Sequence, residues 1–311
     1  MRGQTFDREY LQREFRKLAS KTKIPIVLFI IGGGGLAFYG LKETTKDIDV
    51  VLQSPNDLKT LTEGLGSLKY ESPSSAVITR PYSQTRASAI LENAEGFRWN
   101  VFDRQVCNAL MLSNEMKTRA TELYRRGPLR VLLASKEDIF LFKGVTEREA
   151  DLDDMRLLAE SGLDWNIINQ ECQNQSTSTG RLWENALYQK LIDLREKYHI
   201  ESPIEKPLRK RAEQKLIEIT LLDEIKKGNN AVTEISRAID ETDHLVRTSL
   251  NKLARKRLIR IDRSHRPYKY LLNIRSRDKK LIQTRASQGR RARGPRPKSP
   301  YGSQKFILKA L

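Results

Sequence analysis

The run Gly32-Gly33-Gly34-Gly35-Leu36-Ala37-Phe38-Tyr39-Gly40, followed by Thr44-Thr45-Lys46-Asp47-Ile48-Asp49-Val50-Val51-Leu52, decides how the rest of the chain is read. Just before it, residues 24–31 form a β-branched stretch too apolar to face water on either side, as a central strand would be. The glycines break that strand, residues 36–39 carry a short helix up to Gly40, and residues 47–52 make the next strand. Glycines after a buried strand let the backbone approach a phosphate closely, and the N–H groups opening the next helix can hold the anion. Asp47 and Asp49 stand two apart, so on a strand both carboxylates leave from one face while Ile48 and Val50 enter the packing. Such a pair suits Mg²⁺, which combines one or two carboxylates with substrate phosphates.

Working outward, Phe6, Tyr10, Leu11, Phe15 and Leu18 recur at helical spacing among charged residues and predict a surface helix over 6–20. Residues 97–102 read as a third strand, so a mixed sheet is expected. Residues 135–158 carry one helical pattern that opens at Ser135, an N-cap candidate followed by Glu137 and Asp138. Around 173–180 the chain turns polar and loses its period, which predicts the end of the first domain. A connecting helix over 182–198 follows, then Pro203 and Pro207 punctuate a linker before helical periodicity resumes near Lys210. The expected organisation is a first domain over 1–172, a linker and connecting helix over 173–209, a second domain over 210–274, and a basic, disordered tail over 275–311.

Fifty-seven Lys and Arg against 39 Asp and Glu leave 311 residues with a formal charge of +18, which favours phosphate-rich partners: nucleoside triphosphates, RNA or DNA. Cys107 and Cys172 lie far apart, which excludes a disulfide-stapled scaffold and any cysteine-built zinc site. The apolar stretch over 24–41 contains Pro25 and four consecutive glycines and makes a poor spanning helix. No export signal is seen, so a cytoplasmic protein without a membrane partner is expected.

The glycine run with its Asp-x-Asp resembles the signature of the nucleotidyltransferase superfamily, and within it is most similar to minimal and AbiEii-like toxin nucleotidyltransferases. The resemblance implies an α/β (α+β) nucleotidyltransferase fold with a mixed β-sheet. It also implies that Gly32 and Gly33 contact the triphosphate of an NTP, while Asp47 and Asp49 hold Mg²⁺ or Mn²⁺ and serve as catalytic residues. The family's third carboxylate is replaced: the matching position is Asn100, whose amide cannot accept a proton as a base. Asp103 has the wrong strand parity to substitute without a bulge. A second likeness covers Lys143 to Asp154, where Lys143, Arg148, Asp151 and Asp154 match the family's run and Ala150 stands in place of its lysine. It implies that Lys143 and Arg148 bind the nucleotide and that Asp151 supplies the missing catalytic carboxylate. The same charges also suit a solvated helix face.

Residues 211–227 predict an amphipathic helix with Leu216, Ile219, Leu222 and Ile225 inward, and Val232, Ile235 and Ile239 support a second helix. Residues 240–243 cap a third helix with Leu245, Leu250 and Leu253 inward. A hairpin over 258–271 completes a unit that resembles the winged helix-turn-helix of transcriptional regulators. The likeness implies nucleic-acid contact by Arg247, Thr248, Asn251, Lys252 and Arg255 on the third helix and by Arg263, His265 and Arg266 in the wing. The leading expectation is an enzyme that transfers a nucleoside monophosphate to an acceptor hydroxyl on tRNA or protein, in a toxin-antitoxin-like setting with an antitoxin partner or as a homodimer. The alternative is a catalytically degenerate fold acting as a DNA-binding transcriptional regulator.

Overall fold

A computed structural model describes residues 4–73, 86–146 and 148–273. The chain divides into two compact units, Met1–Leu208 and Arg209–Leu311. In the first, β1 (Phe6–Asp7) leads into α1 (Arg8–Lys21), β2 (Ile26–Ile31), α2 (Gly32–Phe38), β3 (Thr44–Thr45), β4 (Asp47–Leu52) and α3 (Pro55–Gly66). Then come β5 (Ala89–Glu92), β6 (Arg98–Asp103), β7 (Gln105–Val106), β8 (Leu110–Met111), α4 (Asn114–Arg119), β9 (Thr121–Arg126) and β10 (Leu129–Leu133). Helices α5 (Lys136–Gly144), α6 (Glu149–Glu160), α7 (Trp165–Thr179) and α8 (Trp183–Tyr198) follow.

Six strands form a mixed sheet in the order β5-β6-β4-β2-β10-β9. β4 runs parallel to β6 and antiparallel to β2, and β2 runs parallel to β10. The interior strands are buried on both faces, with Ile30, Val50 and Val101 on one side and Phe29, Val51 and Phe102 on the other all but inaccessible to water. That is why residues 26–31 read as a continuous apolar run. Helix starts follow local rules: Asp7 accepts from the Tyr10 amide, and Ser135 from the Asp138 amide.

Three segments depart from the sequence reading. All four glycines lie inside α2, although glycine is a poor helix former, because the helix rides closer to its neighbours than side chains allow. A Cβ on Gly35 would stand 2.6 Å from Ile139 Cδ1, and one on Gly34 3.2 Å from Ile48 Cγ1. The single helical pattern expected over 135–158 is broken into α5 and α6. Residues 173–179 continue α7, where the first domain was expected to end, because Gln175 and Ser176 are buried and partnered. Gln175 accepts from the Met111 amide at 3.0 Å and donates to its carbonyl at 2.8 Å, while Ser176 bonds Glu184. Leu187, Leu191 and Leu194 of α8 then join the same core as the sheet.

The second unit begins within α9 (Glu205–Lys227), which starts earlier than expected because Pro207 sits in its first turn, where a missing N–H costs nothing. α10 (Val232–Ile239), α11 (Asp243–Arg255) and an antiparallel pair, β11 (Ile259–Asp262) and β12 (Lys269–Leu272), complete it. Its core is Leu221, Ile225, Ile235, Ile239, Val246, Leu250, Leu253, Ile259 and Tyr270. Leu221 is buried where Leu222 is only half-buried, and Val246 takes the place expected of Leu245, because neighbouring elements select which of two adjacent apolar residues is buried; Leu216 and Ile219 are half-buried outside this core. The tail expected over 275–311 lies outside the described residues.

Leu191 tests whether α8 belongs to the first core. Leu191→Ala should destabilise the first unit by about 2–5 kcal/mol, as for a buried leucine. The check is chemical denaturation followed by near-ultraviolet circular dichroism, since an α8 that merely connects would leave the midpoint unchanged.

Candidate active site

The site grows from the register between β4 and β6. In this parallel pair Asp49 stands opposite Asn100, and Asp47 opposite Arg98, so all four leave from one face of the sheet. Asp47 and Asp49 are half-buried, whereas Asn100 is 2% exposed. The Asn100 amide reaches both carboxylates: Nδ2 donates to Asp47 Oδ2 at 3.2 Å and to Asp49 Oδ1 at 2.9 Å. Asp103 stands opposite Leu52, three places along, and so on the other face; its carboxylate pairs with Arg104 at 3.3 Å.

The glycine bend closes on this pair from β2. Gly32 has φ +61°, in the left-handed region, and a Cβ there would lie 1.9 Å from Asp49 Oδ2. Only glycine meets both conditions. A Cβ on Gly33 would lie 2.9 Å from Thr45 Oγ1, itself donating to the Asp47 carbonyl. Burial, then the charge of Asp47, pushes the Asp49 carboxyl up from 3.8 to about 7, against the lowering effect of Asn100, Arg148 and Lys143.

Arg148 and Lys143 belong to an adjoining ion network built by α5 and α6. Lys143, 5% exposed, places Nζ 2.9 Å from Asp151 Oδ1 and 2.5 Å from Asp154 Oδ2. Asp151 also accepts from Thr146 at 2.5 Å and Arg148 Nε at 2.9 Å, and Asp154 pairs with Lys42. Burial would raise the Asp151 pKa, but the charges of Lys143 and Arg148, with the bonds from Thr146 and Lys143, outweigh it and hold it at about 2. Asp151 is thus a poor proton acceptor near neutral pH, and the buried Lys143 is engaged with acids. Arg148, about one third exposed, is the most accessible member of the matched set Lys143, Arg148, Asp151 and Asp154. Asp49 and Asp151 also act on the half-buried Cys107, whose thiol burial first and these charges second push up to about 11. Thr146 and Lys42 were not singled out in the sequence, and Cys107 only for the disulfide and zinc sites it excludes; nothing in their spacing marks them as part of this site.

Two carboxylates beside an amide, with no sulfur or imidazole among them, suit a hard divalent cation. No group of three or more His, Cys, Asp or Glu gathers at metal-binding distance among the described residues.

In the second unit, Arg247, Thr248, Asn251, Lys252 and Arg255 lie exposed on α11, opposite buried Val246, Leu250 and Leu253. Arg247 and Asn251 line a groove of about 480 Å³ together with Arg263, Arg266 and Tyr268 of the hairpin, whereas Thr248, Lys252 and Arg255 stand outside it. Exposed His265 faces its own hairpin, with Nδ1 3.0 Å from Ser264 Oγ. Among the described residues, no helix is long and apolar enough to cross a membrane.

A mixed sheet carrying Asp-x-Asp against a glycine bend is the arrangement of a nucleotidyltransferase domain. The model of the family described as nucleotidyltransferase of unknown function (DUF6036) matches residues 9–202, more than half of the chain, and the chain belongs to that family. No curated protein matches the chain.

Two outcomes follow from the electrostatics. Between pH 4 and 7 folded Asp49 keeps a proton that the unfolded chain has released, so without metal this group lowers stability as pH rises through that window. Asp49→Asn should flatten that part of the dependence of melting temperature on pH, measured in chelator. Lys143→Met should cost about 3–5 kcal/mol by leaving two buried acids without their shared cation, and adding Asp151→Asn and Asp154→Asn should recover part of it in denaturant titrations.

Proposed function

We propose that the chain transfers a nucleoside monophosphate from an NTP to an acceptor hydroxyl on tRNA or protein, using Mg²⁺ or Mn²⁺ held by Asp47 and Asp49. The observation that carries this reading is Gly32 set directly against Asp49 Oδ2, which brings a phosphate-accepting backbone bend to a pair of carboxylates. A divalent ion there would neutralise charge that develops on the phosphates during displacement. Gly32 and Gly33 let the triphosphate approach the backbone, and Arg148 adds positive charge beside it. Lys143 fixes Asp151 and Asp154 so that α6 presents Arg148. The acceptor oxygen bonds to the α-phosphorus as the bond to the pyrophosphate oxygen breaks. Asn100 cannot take the acceptor's proton, and Asp151 is held ionised as a weak base, so that proton leaves to water.

The second unit fits a winged helix-turn-helix: α11 would enter a nucleic-acid groove, with Arg247, Thr248 and Asn251 toward bases and Lys252, Arg255, Arg263, His265 and Arg266 toward phosphates. This unit would deliver the enzyme to RNA or DNA, in keeping with an AbiEii-like toxin and its antitoxin partner. Asn100 in place of a carboxylate favours one other reading, a degenerate domain serving a DNA-binding transcriptional regulator.

Incubation with Mg²⁺, labelled NTPs and total tRNA separates the two. Labelled product that disappears in Asp47→Ala and Asp49→Ala, by about 100-fold or more as expected for loss of transition-state charge stabilisation, supports the enzyme. No label under Mg²⁺ or Mn²⁺, together with tight salt-sensitive DNA binding, establishes the regulator.

A further inference from the structure

We propose that the side-chain amide of Asn100 occupies the place of a second cation between Asp47 and Asp49, making this a one-ion centre; the nucleotide part of the argument rests on the transferase reading above. Asn100 is opposite Asp49 in register and almost wholly buried, so the amide cannot swing out to solvent. Both of its N–H groups are spent on the pair, one on Asp47 Oδ2 and one on Asp49 Oδ1. A second ion, bridging those same two oxygens beside the one the pair would hold, would meet the positive end of the N–H dipoles.

Turning the amide over does not remove the conflict in the resting site. Oδ1 has no hydrogen-bond partner among the described residues, so nothing on that side competes for the amide. The reversed orientation would set an acceptor against two carboxylates and strand the NH₂ group in the buried position. The carboxylates, not the surroundings of Oδ1, therefore fix the orientation.

Charge balance points the same way. Asp47 and Asp49 carry at most two negative charges, Arg148 and Lys143 already act on Asp49, and Asn100 adds none. The acids of the adjoining ion network, Asp151 and Asp154, already face Lys143, Arg148 and Lys42. A carboxylate at position 100 would supply the third charge and the acceptor oxygens that a second ion requires.

The test is a Mn²⁺ titration of the full chain, read by electron paramagnetic resonance, with a non-hydrolysable NTP analogue. The wild type should bind one Mn²⁺ per chain and Asn100→Asp two. Asn100→Ala, which vacates the amide's place without adding charge, should take up a second ion more weakly than Asn100→Asp. Melting temperatures with Mn²⁺ alone give a readout independent of nucleotide: Asn100→Asp should melt lower than wild type in chelator and gain more on adding Mn²⁺. Two ions in the wild type, or identical stoichiometry and Mn²⁺-induced shifts in all three proteins, overturn the proposal. Should the analogue fail to bind while the Mn²⁺-induced shifts differ as expected, the transferase reading falls and the role of Asn100 stands.

Discussion

The contact between Gly32 and Asp49 is the constraint around which the first unit is arranged. A backbone with φ +61° can run against a carboxylate only if no Cβ intervenes, and here a Cβ would overlap Asp49 Oδ2 outright. To hold that approach, β2 and β4 pair antiparallel, with Ile31 opposite Asp49, and the chain turns directly into α2 at the strand end. The remaining glycines extend the same demand along the helix, which presses on Ile48 and Ile139. Four residues of low helix propensity are therefore retained where tertiary contact, not local preference, holds the helix together.

Charge is divided between two neighbouring zones. In the ion network every buried acid faces a cation: Lys143 between Asp151 and Asp154, Lys42 on Asp154, Arg148 on Asp151. Breaking such a set leaves an uncompensated buried charge, so its members stand or fall together. At the strand ends the amide of Asn100 donates to both carboxylates, and burial with the charge of Asp47 raises Asp49 against the pull of Asn100, Arg148 and Lys143. The protein thus holds a carboxylate pair with one member raised toward neutrality beside a scaffold of matched charges. That contrast is what a site recruiting a cation requires.

How far the site could be read from sequence depended on the range of the interactions involved. Asp47 and Asp49 share a face because strand geometry alternates, and that follows from two-residue spacing alone. Asn100 was found at the third strand position, but its link to both carboxylates depends on the register of β4 and β6, which no local pattern sets. Lys143, Arg148 and Asp151 were legible as residues; their mutual engagement required α5 and α6 to be separate helices folded on each other. The polar run 173–179 misled because Gln175 and Ser176 are buried against partners, Met111 and Glu184, that other elements supply. Polarity signals a loop only when the polar groups have to seek water.

By itself the sequence determined the strand, glycine bend and Asp-x-Asp strand, the mixed sheet, and the helices and hairpin of the second unit. These follow from periodicity, capping and steric rules that act within a few residues. Tertiary structure alone decided that the glycines are helical, that α7 and α8 belong to the first core, that Lys143 is buried between acids, and that an amide spans the two aspartates. Each of these depends on which distant groups desolvate one another, and burial sets that energy only once the chain has closed.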